Sequence, residues 1–160
     1  DSGLVAAIGY AKESGIPYEM TFHKNSYVGR TFIKPTQKER INAVRAKLNV
    51  LESVVKDKRV VLIDDSIVRG TTIANLIHML RSHGAKEVHV RISSPPFLYP
   101  CFYGTDVPDN SQLIANSMST EEICKKIGAD SLGYMDIQDF PCMTGDLPIC
   151  KACFDNHYPV

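Results

Sequence analysis

Apolar residues along the chain fall into short blocks divided by polar, glycine- and proline-containing stretches, and the length and period of each block predict an element. Leu4 to Ala11 is an apolar run directly after the turn-like Asp1-Ser2-Gly3. It reads as a buried helix ending near Gly15, with Pro17 preventing continuation. Lys24 to Ile33 is polar and aromatic without a clean period, with Gly29 and Arg30 at its centre, and reads as a mobile loop. Thr36-Gln37-Lys38-Glu39 has the capping-box pattern, in which the threonine oxygen accepts from first-turn amides and the glutamate reaches back. Ile41, Val44, Ala46 and Leu48 then fall mostly on one side of a helix expected to run to about Asn49.

The middle of the chain changes period. Val60-Val61-Leu62-Ile63 is a continuous, β-branched apolar run, the pattern of a strand covered on both faces in a parallel sheet. A turn leads to a helix from about Thr72 to His83, stopped by Gly84 in a left-handed cap. Val88 to Ile92 is a second strand, so this stretch is a βαβ unit with an expected right-handed connection. Ser93 to Pro108 is loop-rich. Ser119-Thr120-Glu121-Glu122 is a second capping box, opening a short helix through Ile127. Ser131 to Met135 reads as a last strand. The pattern is that of an α/β fold, with a core over 1–135 and a cysteine-rich tail over 136–160 that is not an independent domain. A domain seldom opens on a turn, so upstream elements are expected before Asp1.

Composition narrows the class. The 160 residues are enough for one domain, and at 44% hydrophobic and 22% charged they can bury a sizeable core. Eighteen basic residues balance eighteen acidic ones, so no overall field recruits nucleic acid or membrane, and an anionic ligand needs a local site. No signal peptide and no spanning run of apolar residues is found, and the expected compartment is the cytoplasm. Five cysteines without an export signal argue against a disulfide framework. Cys124 reads as a small buried thiol inside a helix.

The strongest chemical signal is Asp64-Asp65-Ser66-Ile67-Val68-Arg69-Gly70-Thr71-Thr72 after the first strand. An open α/β sheet places its ligand at the carboxyl ends of its strands, where this acid pair is delivered. Amides at the next helix start, with the Ser66, Thr71 and Thr72 hydroxyls, suit a phosphate, and Gly70 lets backbone approach it. The acids repel phosphate but suit a ribose diol or a magnesium ion shared between sugar and pyrophosphate oxygens. Two capping aspartates would be the structural alternative. No Gly-Lys-Ser/Thr follows, so this is not a P-loop. The cysteines are ambiguous on their own: the Cys150/Cys153 pair fits an iron–sulfur cluster or a structural zinc equally.

The acidic segment resembles the phosphoribosyl pyrophosphate (PRPP) motif of the type I phosphoribosyltransferases. Asp1-Ser2-Gly3, Lys24 to Ile33, Ser93-Ser94-Pro95-Pro96, Tyr99 to Gly104 and Cys150-Lys151-Ala152-Cys153-Phe154 narrow this to the phosphoribosyltransferase half of the glutamine PRPP amidotransferase family. The resemblance covers nearly the whole chain. It implies a mostly parallel sheet flanked by helices, and a reaction in which ammonia attacks PRPP to give 5-phosphoribosylamine and pyrophosphate, opening de novo purine synthesis. Asp64 and Asp65 would bind the ribose diol and magnesium, and Ser2 would be a further magnesium ligand. Ser66 to Thr72 would cradle the 5-phosphate. Lys24 and Arg30, in the loop that closes over PRPP, would reach pyrophosphate oxygens. Cys101, Cys150 and Cys153 would hold a 4Fe–4S cluster, with the fourth cysteine upstream or replaced by Cys142. The ammonia would come from a glutaminase domain that this chain does not contain. Purine nucleotides would inhibit, and the assembly would be a homo-oligomer, expected as a tetramer. A salvage nucleobase phosphoribosyltransferase, a non-catalytic PRPP-sensing module and an iron–sulfur scaffold with a dead site are the competing readings.

Overall fold

The computed structural model describes residues 2–24, 48–101, 103–104, 109–145 and 147–158. Helix α1 spans Leu4–Ser14 and stops at Gly15, whose φ of 72° is left-handed and whose N–H donates to Ala11 C=O. Strands β1 (Phe22–Lys24) and β2 (Leu48–Val50) pair antiparallel, with His23 opposite Asn49. A single-turn helix α2 (Glu52–Val55) leads to β3 (Arg59–Asp64), and α3 (Thr71–Ser82) connects it to β4 (Glu87–Ile92). A 3₁₀ turn at Asn110–Gln112 precedes α4 (Ile114–Ser117), α5 (Thr120–Ile127) and β5 (Ser131–Tyr134). The tail holds a second 3₁₀ turn at Ile137–Asp139, then α6 (Phe140–Thr144) and α7 (Ala152–Asp155).

The sheet order β3-β4-β5 is parallel throughout, with Asp64 opposite Ile92 and Ile92 opposite Tyr134. β4 shows the alternation that orients it: Val88, Val90 and Ile92 are buried, whereas Glu87, His89 and Arg91 are half-buried. The apolar face meets Ile73, Ile77 and Leu80 of α3 and Ile123 and Ile127 of α5. Burying such aliphatic side chains contributes about 1.5–3 kcal/mol apiece. On the other face the His89 ring bridges Ser131 Oγ and Glu87 Oε2, both at 2.9 Å. Asp130 pins the corner where α3, β4 and β5 meet, accepting from Val88 N–H at 2.6 Å and Arg81 Nη2 at 2.7 Å. The second capping box forms as expected: Glu122 N–H donates to Ser119 Oγ at 3.3 Å and Ser119 N–H to Glu122 Oε2 at 2.7 Å.

Three expectations need correction. α1 is not buried: Leu4, Val5 and Ile8 are 42%, 80% and 51% exposed, because the helix covers β3 with one side and leaves the other bare. Leu48 and Asn49 do not end a helix. They lie in β2, where pairing with β1 overrides a helical period, and Leu51 N–H extends that pairing to Thr21 C=O at 2.9 Å. β3 is half-buried rather than covered on both faces, and among the described residues its outer edge pairs with no strand. The helix expected from Thr36, up to residue 47, lies outside the described residues.

Candidate functional site: an acid pair between two helix starts

β3 ends on Asp64, and Asp65 begins the turn that follows. Each carboxylate is engaged by the next amide: Asp65 N–H donates to Asp64 Oδ1 at 3.0 Å and Ser66 N–H to Asp65 Oδ1 at 2.9 Å. Among the described residues the ion pairs involve neither acid, and Asp65 is exposed. Burial first, then the neighbouring Asp65 carboxylate, pushes the Asp64 carboxyl up from 3.8 to about 6. Such a group is relieved by a cation.

Ser93 fixes the strand end. Its N–H donates to Asp64 C=O at 3.0 Å, and its hydroxyl lies 3.4 Å from the same oxygen. The sequence flagged Ser93 without a role; its place after β4, opposite the end of β3, gives it one.

Two helices begin beside this pair. α3 is capped by Gly70, buried and left-handed at φ 77°, and α1 by Gly3. Neither has a side-chain cap, and neither carries an acid in its first turn. Their first amides therefore keep their partial positive charge for a ligand. Gly3 approaches β3 so closely that a Cβ there would lie 2.8 Å from Ile63 C=O and 3.1 Å from Asp64 Cα. Ser2, expected as a metal ligand, immediately precedes this contact in the chain and is exposed. Gly3 itself was missed as a determinant because its role lies in a contact some sixty positions away.

Between the acids and α3, Ser66 and Val68 are half-buried, Ile67 is buried at 3% exposure, and Arg69, Thr71 and Thr72 are exposed. Ile67 anchors the loop in the core while the two threonines face outward. Ile114 N–H donates to Val68 C=O at 2.9 Å, and Arg69 Nη2 donates to Gln112 Oε1. Lys24 closes β1, and Arg30 lies outside the described residues. A cavity of about 480 Å³ lies along the outer edge of β3 and meets the site at Gly3 and Asp64. Its lining, with Ile16, Phe22 and Leu62, is mostly apolar, and the acids Glu19 and Asp64 on it are unsuited to phosphates.

The cysteine region is held by packing and backbone bonds. Phe154 of α7 lies edge-on to Phe97, centroids 5.0 Å apart, and 5.7 Å from Phe140. Leu98 N–H and Tyr99 N–H both donate to Cys153 C=O, at 3.0 and 3.1 Å, and Asn116 Nδ2 donates to Leu98 C=O at 2.9 Å. Phe154 thus supplies a staple that the sequence reading did not name. Burial pushes the Cys153 thiol up to about 11, and the charges of Cys101 and Cys150 act in the same direction. Among the described residues, however, no three His, Cys, Asp or Glu side chains are grouped so as to hold a metal ion. Cys142 is exposed on α6, and Cys124 is half-buried, its Sγ 3.3 Å from Ala129 C=O, in keeping with a structural thiol.

The model of the phosphoribosyl transferase domain family matches residues 2–93, the span from the first helix start through the acid pair to the end of β4. The amidophosphoribosyltransferase of Pyrococcus horikoshii is 52% identical over 159 residues, 99% of this chain and 35% of that protein. The enzyme of the same name from Bacillus subtilis is 51% identical over 165 residues, again 99% of this chain and 35% of the relative. The solved structure of glutamine PRPP amidotransferase from B. subtilis, complexed with ADP and GMP, superposes with a TM-score of 0.85 at 50% identity, covering 99% of this chain and 36% of that one. The chain thus spans about a third of the length of the curated relatives it matches. No helix among the described residues is long and apolar enough to cross a membrane. With half the chain inside one family model and the rest aligned to proteins of one name, this chain belongs to the phosphoribosyl transferase domain family and resembles, from end to end, its amidophosphoribosyltransferases.

Proposed function

We propose that the chain forms the phosphoribosyl-transfer portion of an amidophosphoribosyltransferase, in which ammonia displaces pyrophosphate from PRPP to give 5-phosphoribosylamine. The observation that carries this reading is the acid pair at the end of β3, set between two helix starts without side-chain caps, with no ion-pair partner among the described residues. Amides attract the two phosphate ends of the substrate, and the carboxylates take what lies between them. The 5-phosphate goes to Ser66–Thr72, the pyrophosphate to the Ser2-Gly3 turn at the start of α1, and the ribose diol to Asp64 and Asp65.

In the reaction the nitrogen lone pair forms the C1–N bond as the C1–O bond breaks, and its electrons leave with pyrophosphate. The ammonium proton is then lost to solvent. Ammonia needs no base to expose its lone pair, so the work of the protein is positioning and exclusion of water. Magnesium suits Asp64 and Asp65, since this ion is commonly held by one or two carboxylates plus substrate phosphates, and when bound it would stabilise the departing charge. Asp64, raised by burial to about 6, gains most from such a cation. Lys24 and Arg30 would add charge on the pyrophosphate side.

The larger assembly is part of the same proposal: ammonia from a glutaminase domain, inhibition by purine nucleotides, a homo-oligomer expected to be tetrameric, and a cytoplasmic setting. A 4Fe–4S cluster on Cys101, Cys150, Cys153 and a fourth thiol is proposed from the Cys-x-x-Cys pair and its resemblance to the cluster-bearing members of the family; iron and acid-labile sulfide analysis decides between it and zinc. The test of the central reading is ammonia-dependent release of pyrophosphate from PRPP by the intact protein. Asp64→Ala is expected to lower kcat/KM by at least about a hundredfold. Undiminished turnover in that variant, or none in the parent, overturns it.

A further inference from the structure

The turn that carries the expected 5-phosphate site makes three contacts with one outside segment, residues 109–114. Ile114 N–H donates to Val68 C=O at 2.9 Å, and Arg69 Nη2 donates to Gln112 Oε1. The Ile114 side chain closes beneath Gly70, where a Cβ would meet its Cδ1 at 3.0 Å. The segment is itself stiff. Asp109 accepts from Ser111 N–H at 2.6 Å and from Ser111 Oγ at 2.9 Å, and Leu113 and Ile114 are 1% and 6% exposed. Two of the contacts use backbone or core packing, which many sequences could supply. The third depends on one pair of side chains, 43 positions apart.

Arg69 is the cation of the turn, and its side chain is exposed. Left to itself, an exposed arginine samples many rotamers, and restricting it costs entropy. Gln112 meets that cost before any ligand arrives. A carbonyl oxygen accepts from the guanidinium without cancelling its charge, so the grip leaves the positive field of the turn intact.

We infer that Gln112 is a positioning residue for the sugar phosphate: by gripping Arg69 it holds the Val68–Gly70 turn in the shape that binds the 5-phosphate of PRPP. The inference rests on the assignment of Ser66–Thr72 to that phosphate. It predicts a defect in capture of PRPP and none in the chemical step or in the use of ammonia.

The experiment is steady-state kinetics on the intact protein. Gln112→Met, similar in length but without the acceptor, is expected to raise the KM for PRPP about tenfold, with kcat and the KM for ammonia within about twofold. Arg69→Met, which also removes the cation, is expected to raise it at least as far, and the double variant to be no worse than Arg69→Met alone, as residues acting through one contact require. Gln112→Glu keeps the grip but offsets the charge of Arg69, so its KM should fall between those of the parent and Gln112→Met. An unchanged KM in Gln112→Met, effects that multiply in the double variant, or a fall in kcat together with the melting temperature would each overturn the inference. Asp64→Ala assayed alongside separates the two claims: if that variant stays active, the PRPP reading itself fails, whatever Gln112 does.

Discussion

Asp64 shows what a half-buried carboxylate costs the protein that carries it. Its carboxyl sits at the end of β3 with a raised pKa of about 6 against an ordinary 3.8. Between those values the folded chain holds a proton that the unfolded chain has released, so stability falls as pH rises across that window, and the penalty is complete at neutral pH. Asp64→Asn, which cannot ionise, is therefore expected to be more stable than the parent at pH 7, by on the order of 1 kcal/mol, while losing activity. The gain should vanish when both are unfolded at pH 4. Urea denaturation at the two pH values checks this, and equal stabilities at pH 7 would contradict it. The acids were legible in the sequence because a four-residue apolar strand followed by two carboxylates is a local pattern. Gly3, Ser93 and Gln112 were not, because each acts through a contact dozens of positions away that no spacing reports.

Whole elements followed the same divide. α3, α5 and the three parallel strands came close to their expected limits, since local signals define them: a capping box at Ser119, left-handed glycines at Gly84 and Gly128, and β-branched runs. β2 was missed because its strand character comes from pairing with β1, and α1 was misjudged because an apolar run does not say which faces will be covered. α1 nevertheless has a narrow tolerance where it matters. Gly3→Ala would drive a methyl against Ile63 C=O, with backbone on both sides and no flexible side chain to yield. The start of α1 must then move away from Asp64. The expected result is an increase of at least about tenfold in the KM for PRPP with α3 and the sheet intact, measured by kinetics beside circular dichroism.

At the scale of the molecule, one flank is conspicuously unfinished. The outer edge of β3 pairs with no strand among the described residues, the cavity beside it is apolar, and Val5 and Ile8 stand exposed on α1. Such an edge is a template for another strand, and a net charge of zero gives little repulsion between copies. Expressed as these 160 residues alone, the chain is expected to self-associate, eluting ahead of a 17.8 kDa monomer, and Val5→Glu with Ile8→Lys should shift it toward the monomer position. Monomeric elution of the unsubstituted chain would show that the flank is harmless.

Asn116 carries a consequence of its own. It stands two positions after Ile114, which grips Val68, and its side chain grips Leu98, whose own amide is bonded to Cys153. The short helix α4 is thus a beam bolted at one end to the Val68–Gly70 turn, where the sugar phosphate is proposed to bind, and at the other to Leu98, which holds the Cys153 carbonyl. Oxidation that displaces the Cys153 backbone is therefore expected to raise the KM for PRPP before it lowers the melting temperature of the core.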